Sequence, residues 1–155
     1  MNIVDLLSPN RVVVRPGASS KKRVLELLSE YLASATTGLT ATEIFDTLIA
    51  RERLGSTGLG HGVAIPHSRI AGINEALGAV LRLEQGVDYD ALDGQPVDLL
   101  FALIVPEKST EKHLEILSQL AEMFSNEQVL TRLRSADNAE TLLRLFKEQT
   151  SSHAV

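Results

Sequence analysis

The chain has 155 residues, 44% hydrophobic and 23% charged, with a net charge of −5 and no cysteine. That length suits a single domain able to bury its own core, expected to span 1–155 with a motif-bearing part over about 5–148. The acidic balance disfavours nucleic acid as main partner, and the cysteine count excludes disulfides, zinc–thiolate sites and a thiolate nucleophile. No apolar run approaches the roughly 18 residues that span a bilayer. Met1–Asp5 has neither the basic nor the apolar region of a signal peptide. A cytoplasmic protein with no direct membrane insertion is expected.

Residues 3–7 give no decisive pattern. Arg11–Val14 is β-branched and bounded by Asn10 and Pro16-Gly17, which predicts a strand. Ser19 or Ser20 is placed to cap a helix through Ala33, with Val24, Leu27, Leu28, Tyr31 and Leu32 as its apolar stripe. Lys21-Lys22-Arg23 reads as the solvated start of that helix. Thr36-Thr37-Gly38 interrupts, and Thr40 with Glu43 then fits the capping box. The second helix should run to about Arg53 and bury Ile44, Leu48 and Ile49. Arg51 and Arg53 fall in its last turn, where the helix dipole favours cations.

A glycine-rich loop follows, with Gly55, Gly58, Gly60 and Gly62, and leads through Val63-Ala64-Ile65 to Pro66-His67. It has neither the order of a P-loop nor a following helix, so a nucleotide fingerprint is excluded. Glycines allow close backbone approach, and Pro66 stiffens the chain before the histidine. An imidazole presented at a strand end is expected. If the stretch is extended throughout, His61, Val63, Ile65 and His67 share a face. No nearby Cys, Asp or Glu completes a metal site with the two histidines.

Ala76–Leu83 predicts a strand. The acidic run Asp88–Gly94 lacks the ligand spacing of a calcium loop, and Asp93-Gly94 reads as a turn. Val97–Val105 is almost continuously apolar, the pattern of a central strand covered on both faces. Ser109 or Thr110 should start a helix with Leu114, Leu117, Leu120, Ala121 and Phe124 inward and His113 in its first turn. A short helix is predicted over 126–134, with Val129, Leu130 and Leu133 inward. Asp137–Glu140 opens a last helix to about Glu148, with Leu142, Leu143 and Phe146 inward. The polar stretch 149–155 should fray, leaving His153 inert. The sum is an α/β sandwich: a mixed sheet of about four to five strands flanked by helices on both faces.

Gly62-Val63-Ala64-Ile65-Pro66-His67, with Arg51-Glu52 upstream and His113 downstream, resembles the phosphohistidine site of mannitol/fructose-type enzyme IIA domains of the bacterial phosphotransferase system. Arg51–Gly58 is most similar to the nitrogen-regulatory branch, and Leu92–Asp98 also fits. The likeness extends over nearly the whole chain. Ser68 departs from it, since the family usually has glycine after the histidine.

The resemblance implies that His67 accepts a phosphoryl group on Nε2 from an HPr-like phosphocarrier. His113 and Arg51 would steady it, without metal or cofactor. That chemistry agrees with the residue types. Histidine offers a neutral nucleophilic nitrogen near pH 7. Phosphoryl transfer needs positioning and charge stabilisation, and arginine matches phosphate oxygens with a planar fork. The hydroxyls of Ser56 and Thr57 are candidates for further hydrogen bonds. The phosphorylation state would regulate target proteins. The chain carries no IIB or IIC segment, which favours the regulatory branch over a sugar-specific IIA feeding a separate IIB. A regulatory binding module without phosphate chemistry and a metal-dependent hydrolase are the other classes considered.

Overall fold

An apolar run such as 97–105 has no face for water, so it must be covered on both sides. The computed structural model describes the backbone of residues 2–153, and their side chains apart from residues 110 and 150–153. In chain order the strands are β1 (Val12–Val14), β2 (Gly58–Gly60), β3 (Val63–Ala64), β4 (His67–Ile70), β5 (Leu77–Val87) and β6 (Val97–Pro106). The helices are α1 (Lys21–Ala33), α2 (Ala41–Glu52), α3 (Thr110–Phe124), α4 (Glu127–Arg134) and α5 (Ala139–His153). Two short 3₁₀ turns, Ile3–Leu6 and Pro9–Arg11, precede β1.

The described strands form one mixed sheet in the order β1-β5-β6-β3-β2, with β4 also on β6. β1 runs parallel to β5, and β5 antiparallel to β6. β3 and β4 both run parallel to β6, and β2 returns antiparallel to β3. Alternation along β6 divides the core. Leu99, Phe101, Leu103 and Val105 face α3, α4 and α5. Leu100, Ala102 and Ile104 face α1 and α2. The α/β sandwich with helices on both faces is therefore the architecture.

Six strands replace the expected four to five because the glycine-rich segment is not one extended piece. His61 and Gly62 have φ of 58° and 80°, the positive pair that tight two-residue hairpin turns require. They fold β2 back against β3. His61 is thus at a hairpin tip and does not share a face with His67. A second interruption lies at Ile65-Pro66. β3 and β4 keep the same register on β6, but Pro66 has no N–H to give, so the ladder breaks there. His67 consequently begins a strand, where the sequence suggested that it ends one.

Other differences are local. Arg11 belongs to a 3₁₀ turn and not to β1. Its buried guanidinium donates to the carbonyls of Gly78 and Leu6 at 3.0 and 3.1 Å, and burial lowers its pKa. A Cβ at Gly78 would stand 2.9 Å from the Phe101 ring and 3.2 Å from Leu6. Glycine there lets the N-terminal segment lie close on the sheet. Leu25 joins the buried side of α1, while Leu27 and Tyr31 pack only partly, as Ile49 does on α2.

The buried stripe of α3 is rotated from the expected one. Ile116, Leu120, Met123 and Phe124 point inward, at spacings of four, three and one. Leu114 is 68% exposed and Ala121 is exposed as well. Spacing alone left two overlapping stripes, and packing against the sheet selected one. β5 continues past Leu83 to Val87. α5 continues past Glu148 to His153. Of the expected frayed tail, Ala154 and Val155 lie outside the described residues, as does the side chain of His153.

Phe146 joins α5 to this core. Its ring meets Phe101 at 5.8 Å and Phe124 at 6.3 Å, edge to face in both cases. Phe146→Ala is expected to lower unfolding free energy by about 3–5 kcal/mol. Urea denaturation followed by circular dichroism measures it. A loss below about 1 kcal/mol would mean that this junction is not well packed.

Candidate functional site

Three elements from two helical layers meet where β4 begins. β4 pairs only with β6 among the described strands, so it forms an edge. α2 ends beside it from one layer. α3 starts beside it from the other, soon after the carboxyl end of β6, the usual place for a site in an α/β sheet. The capping box predicted for α2 is present. Thr40 accepts from the Glu43 amide at 3.1 Å, and Glu43 accepts from the Thr40 amide at 3.1 Å.

These elements bring Arg51, His67 and His113 into one open cleft of about 630 Å³, together with Arg69, Ser68 and Glu107. The His67 and His113 rings lie 5.3 Å apart, inclined at 76°. The Nδ1 of His67 is 2.7 Å from the carbonyl oxygen of Ile65. A carbonyl only accepts, so Nδ1 must carry the hydrogen, and Nε2 keeps its lone pair. The Nε2 of His113 is buried and has no hydrogen-bond partner among the described residues. Arg51 donates to the Gly55 carbonyl at 3.0 Å.

Burial and nearby cations favour the neutral form of both rings near pH 7. The pKa of His67 is lowered, chiefly by burial. The bond to Ile65 and the Glu52 carboxylate oppose that shift, Arg51 adds to it, and burial prevails. The pKa of His113 is lowered by burial first, then by the neighbouring His67, Arg69 and Arg51. Two imidazoles with lowered pKa and two guanidiniums therefore face a cleft in which Glu107 is the sole acidic lining residue among those described. Such a cleft can hold a doubly charged group and offer it one unprotonated nitrogen.

Ser56 and Thr57 are engaged beneath the loop and do not line the cleft. The Ser56 hydroxyl donates to the Tyr89 carbonyl at 3.2 Å and accepts from the Gly58 amide at 3.1 Å. The Thr57 hydroxyl donates to the buried Glu52 carboxylate. His61 lies apart, its amide on Asp93 at 3.0 Å and its carbonyl held by Arg134 at 2.5 Å. Ser68 pairs with Ile104 in ordinary strand conformation, so its backbone does not demand the glycine usual in the family. Asp93-Gly94 is the expected turn: Gly94 has φ of 71°, and its amide donates to Ala91. No group of three or more His, Cys, Asp or Glu among the described residues is placed to hold a metal ion.

Sequence reasoning missed Arg69. The signal was its position two residues beyond His67, which puts it on the same side of a strand. It named Glu52 only as part of the motif and gave it no role, since no local pattern announces its burial.

A family model described as "Phosphoenolpyruvate-dependent sugar phosphotransferase system, EIIA 2" matches residues 5–149. The chain belongs to this enzyme IIA family. It is 49% identical over 145 residues to the nitrogen regulatory protein of Pseudomonas aeruginosa, with 94% of each chain covered. The crystal structure of nitrogen regulatory protein IIA-Ntr from Neisseria meningitidis superposes with a TM-score of 0.88. That structure is 42% identical, and the match covers 93% of this chain and 98% of that one. IIA mannitol from Escherichia coli shares the fold, with a TM-score of 0.75 at 17% identity over 90% and 98% of the two chains. The nitrogen-regulatory resemblance and the mixed α/β architecture both hold.

The lowered ring pKa values predict a pH dependence with a definite sign. Between the folded-state values and the ordinary 6.5, the unfolded chain binds more protons than the folded one. The stability contributed by the two neutral rings is complete above about pH 6.5 and is lost as pH falls through the folded-state values. Ring-carbon NMR titration should place both His67 and His113 below free histidine. Urea midpoints should fall less steeply from pH 7 to 5 when both are alanine. Titration of either ring above 6.5 would contradict this.

Proposed function

We propose that the protein is a phosphoryl carrier: His67 Nε2 takes a phosphoryl group from an HPr-like phosphohistidine carrier. The P–N bond of the carrier breaks and returns its electron pair to the carrier's imidazole, while a new P–N bond forms at His67. The hydrogen stays on Nδ1, donated to the Ile65 carbonyl, which lets the His67 ring share the positive charge that develops as its lone pair is used. Arg51 and Arg69 offset charge on the phosphoryl oxygens, and His113 Nε2 donates to one of them. The observation that carries this reading is the pairing of His67, whose Nδ1 is bonded to Ile65, with the unpartnered Nε2 of His113 at its side.

The output is regulatory, with partners that distinguish the phosphorylated from the free protein in the cytoplasm. The relatives named nitrogen regulatory proteins support this over a sugar-specific role. Leu54 lines the cleft and is 84% exposed. It gives the cleft an apolar border on which a carrier can seat.

Labelling from phosphoenolpyruvate through enzyme I and the carrier tests the proposal. The unsubstituted chain should gain an acid-labile, alkali-stable phosphate. His67→Ala should gain none, and His113→Ala should label about 100-fold more slowly and impair onward transfer. Normal labelling of His67→Ala would remove His67 from the mechanism. An unlabelled parent chain would favour a binding module without phosphate chemistry.

A further inference from the structure

α2 ends on Glu52, directly after Arg51, and Glu52 is only 6% exposed. A buried carboxylate persists where its charge and lone pairs are matched. Here Lys21 Nζ lies 3.0 Å from Oε1. The Thr57 amide donates to the same oxygen at 3.2 Å, and the Thr57 hydroxyl donates to Oε2. The Tyr89 hydroxyl stands 3.3 Å from Thr57 Oγ1, and the Lys21 ammonium sits 4.4 Å above the Tyr89 ring. Three separate parts of the chain thus converge on one carboxylate.

The bonds from Glu52 to Thr57 close the short loop between them. Gly55 lies within that loop with φ of 154°, and its carbonyl receives the Arg51 guanidinium. Arg51 is therefore seated by backbone that its own neighbour pins. The Glu52 charge also reaches the His67 ring, opposing the effect of Arg51.

We propose that Glu52 is a positioning residue for phosphoryl transfer: its buried carboxylate fixes the 52–57 loop, and the loop holds the Arg51 guanidinium at the His67 cleft. This rests on the phosphoryl-carrier reading above. Glu52 touches no reacting atom, so its positioning effect passes through Arg51, apart from the direct influence of its charge on the His67 ring. Glutamine at this position keeps the size but loses the charge, and its amide nitrogen cannot accept the donors that meet both oxygens.

The test is a double-mutant cycle on phosphotransfer from the phosphorylated carrier. Glu52→Gln is expected to lower kcat about 10- to 100-fold, with KM for the carrier changed no more than about twofold. In the Arg51→Ala background the same substitution should change kcat by no more than about twofold, because coupled residues do not add. Thr57→Val leaves Glu52 charged and paired with Lys21 and should show a smaller loss that also vanishes with Arg51→Ala. It carries the same test if Glu52→Gln does not fold. Losses that multiply in the Arg51→Ala background, or an unchanged kcat in a folded Glu52→Gln, would overturn the positioning role while leaving the carrier reading intact. An unlabelled parent chain would overturn the carrier reading and this inference together.

Discussion

One hydrogen bond organises the site: the Nδ1–H of His67 on the carbonyl of Ile65, two residues back. Because the acceptor is a carbonyl, it settles which nitrogen bears the hydrogen and leaves Nε2 with its lone pair free. The bond depends on a flaw in the sheet. β3 and β4 lie in one register along β6, and Pro66 interrupts the ladder between them because it has no N–H. The chain recovers at once, since the Leu103 amide donates to the Pro66 carbonyl at 2.9 Å. A proline thus sets a break without loosening the strand, and the imidazole emerges at that break.

The rest of the cleft is assembled from opposite faces of the sheet. Arg51 arrives from the α1/α2 layer and His113 from the α3–α5 layer, and the two meet only because β4 is an edge. That placement has an electrostatic consequence. Burial and nearby guanidiniums both oppose protonation of the rings. The cleft is therefore rich in fixed positive charge while its imidazoles remain neutral. A nucleophile in this setting need not shed a proton first. A phosphoryl group entering as proposed would meet positive charge already in place. The buried Lys21–Glu52 pair lies behind Arg51 and belongs to the same design, since it ties the loop under the guanidinium to α1.

Much of this was legible in the residues. The unbroken apolar run of 97–105 specified the central strand, and the Thr40/Glu43 pair marked the start of α2. The glycine-rich loop ending in Pro66-His67 marked the site, and its resemblance to enzyme IIA domains named His113 and Arg51. What was not legible has physical reasons. The type of turn at His61-Gly62 depends on φ values that asparagine, aspartate or histidine adopt only in context. The rotation of α3 depends on which of two overlapping stripes meets the sheet. Thr57 and Ser56 looked like phosphate donors because hydroxyls beside a glycine loop often are. Their partners, Glu52 and Tyr89, became visible only with the chain folded. The burial of Glu52 was hidden because a glutamate at a helix end normally stays in water.

The tautomer of the free His67 ring decides whether Nε2 is open to a phosphoryl group. A long-range ¹H–¹⁵N correlation spectrum on ¹⁵N-histidine protein near pH 7 reads it without any partner. A neutral ring with Nδ1 protonated and Nε2 bearing the free lone pair is expected. A ring protonated at Nε2 alone, or at both nitrogens, would contradict that expectation.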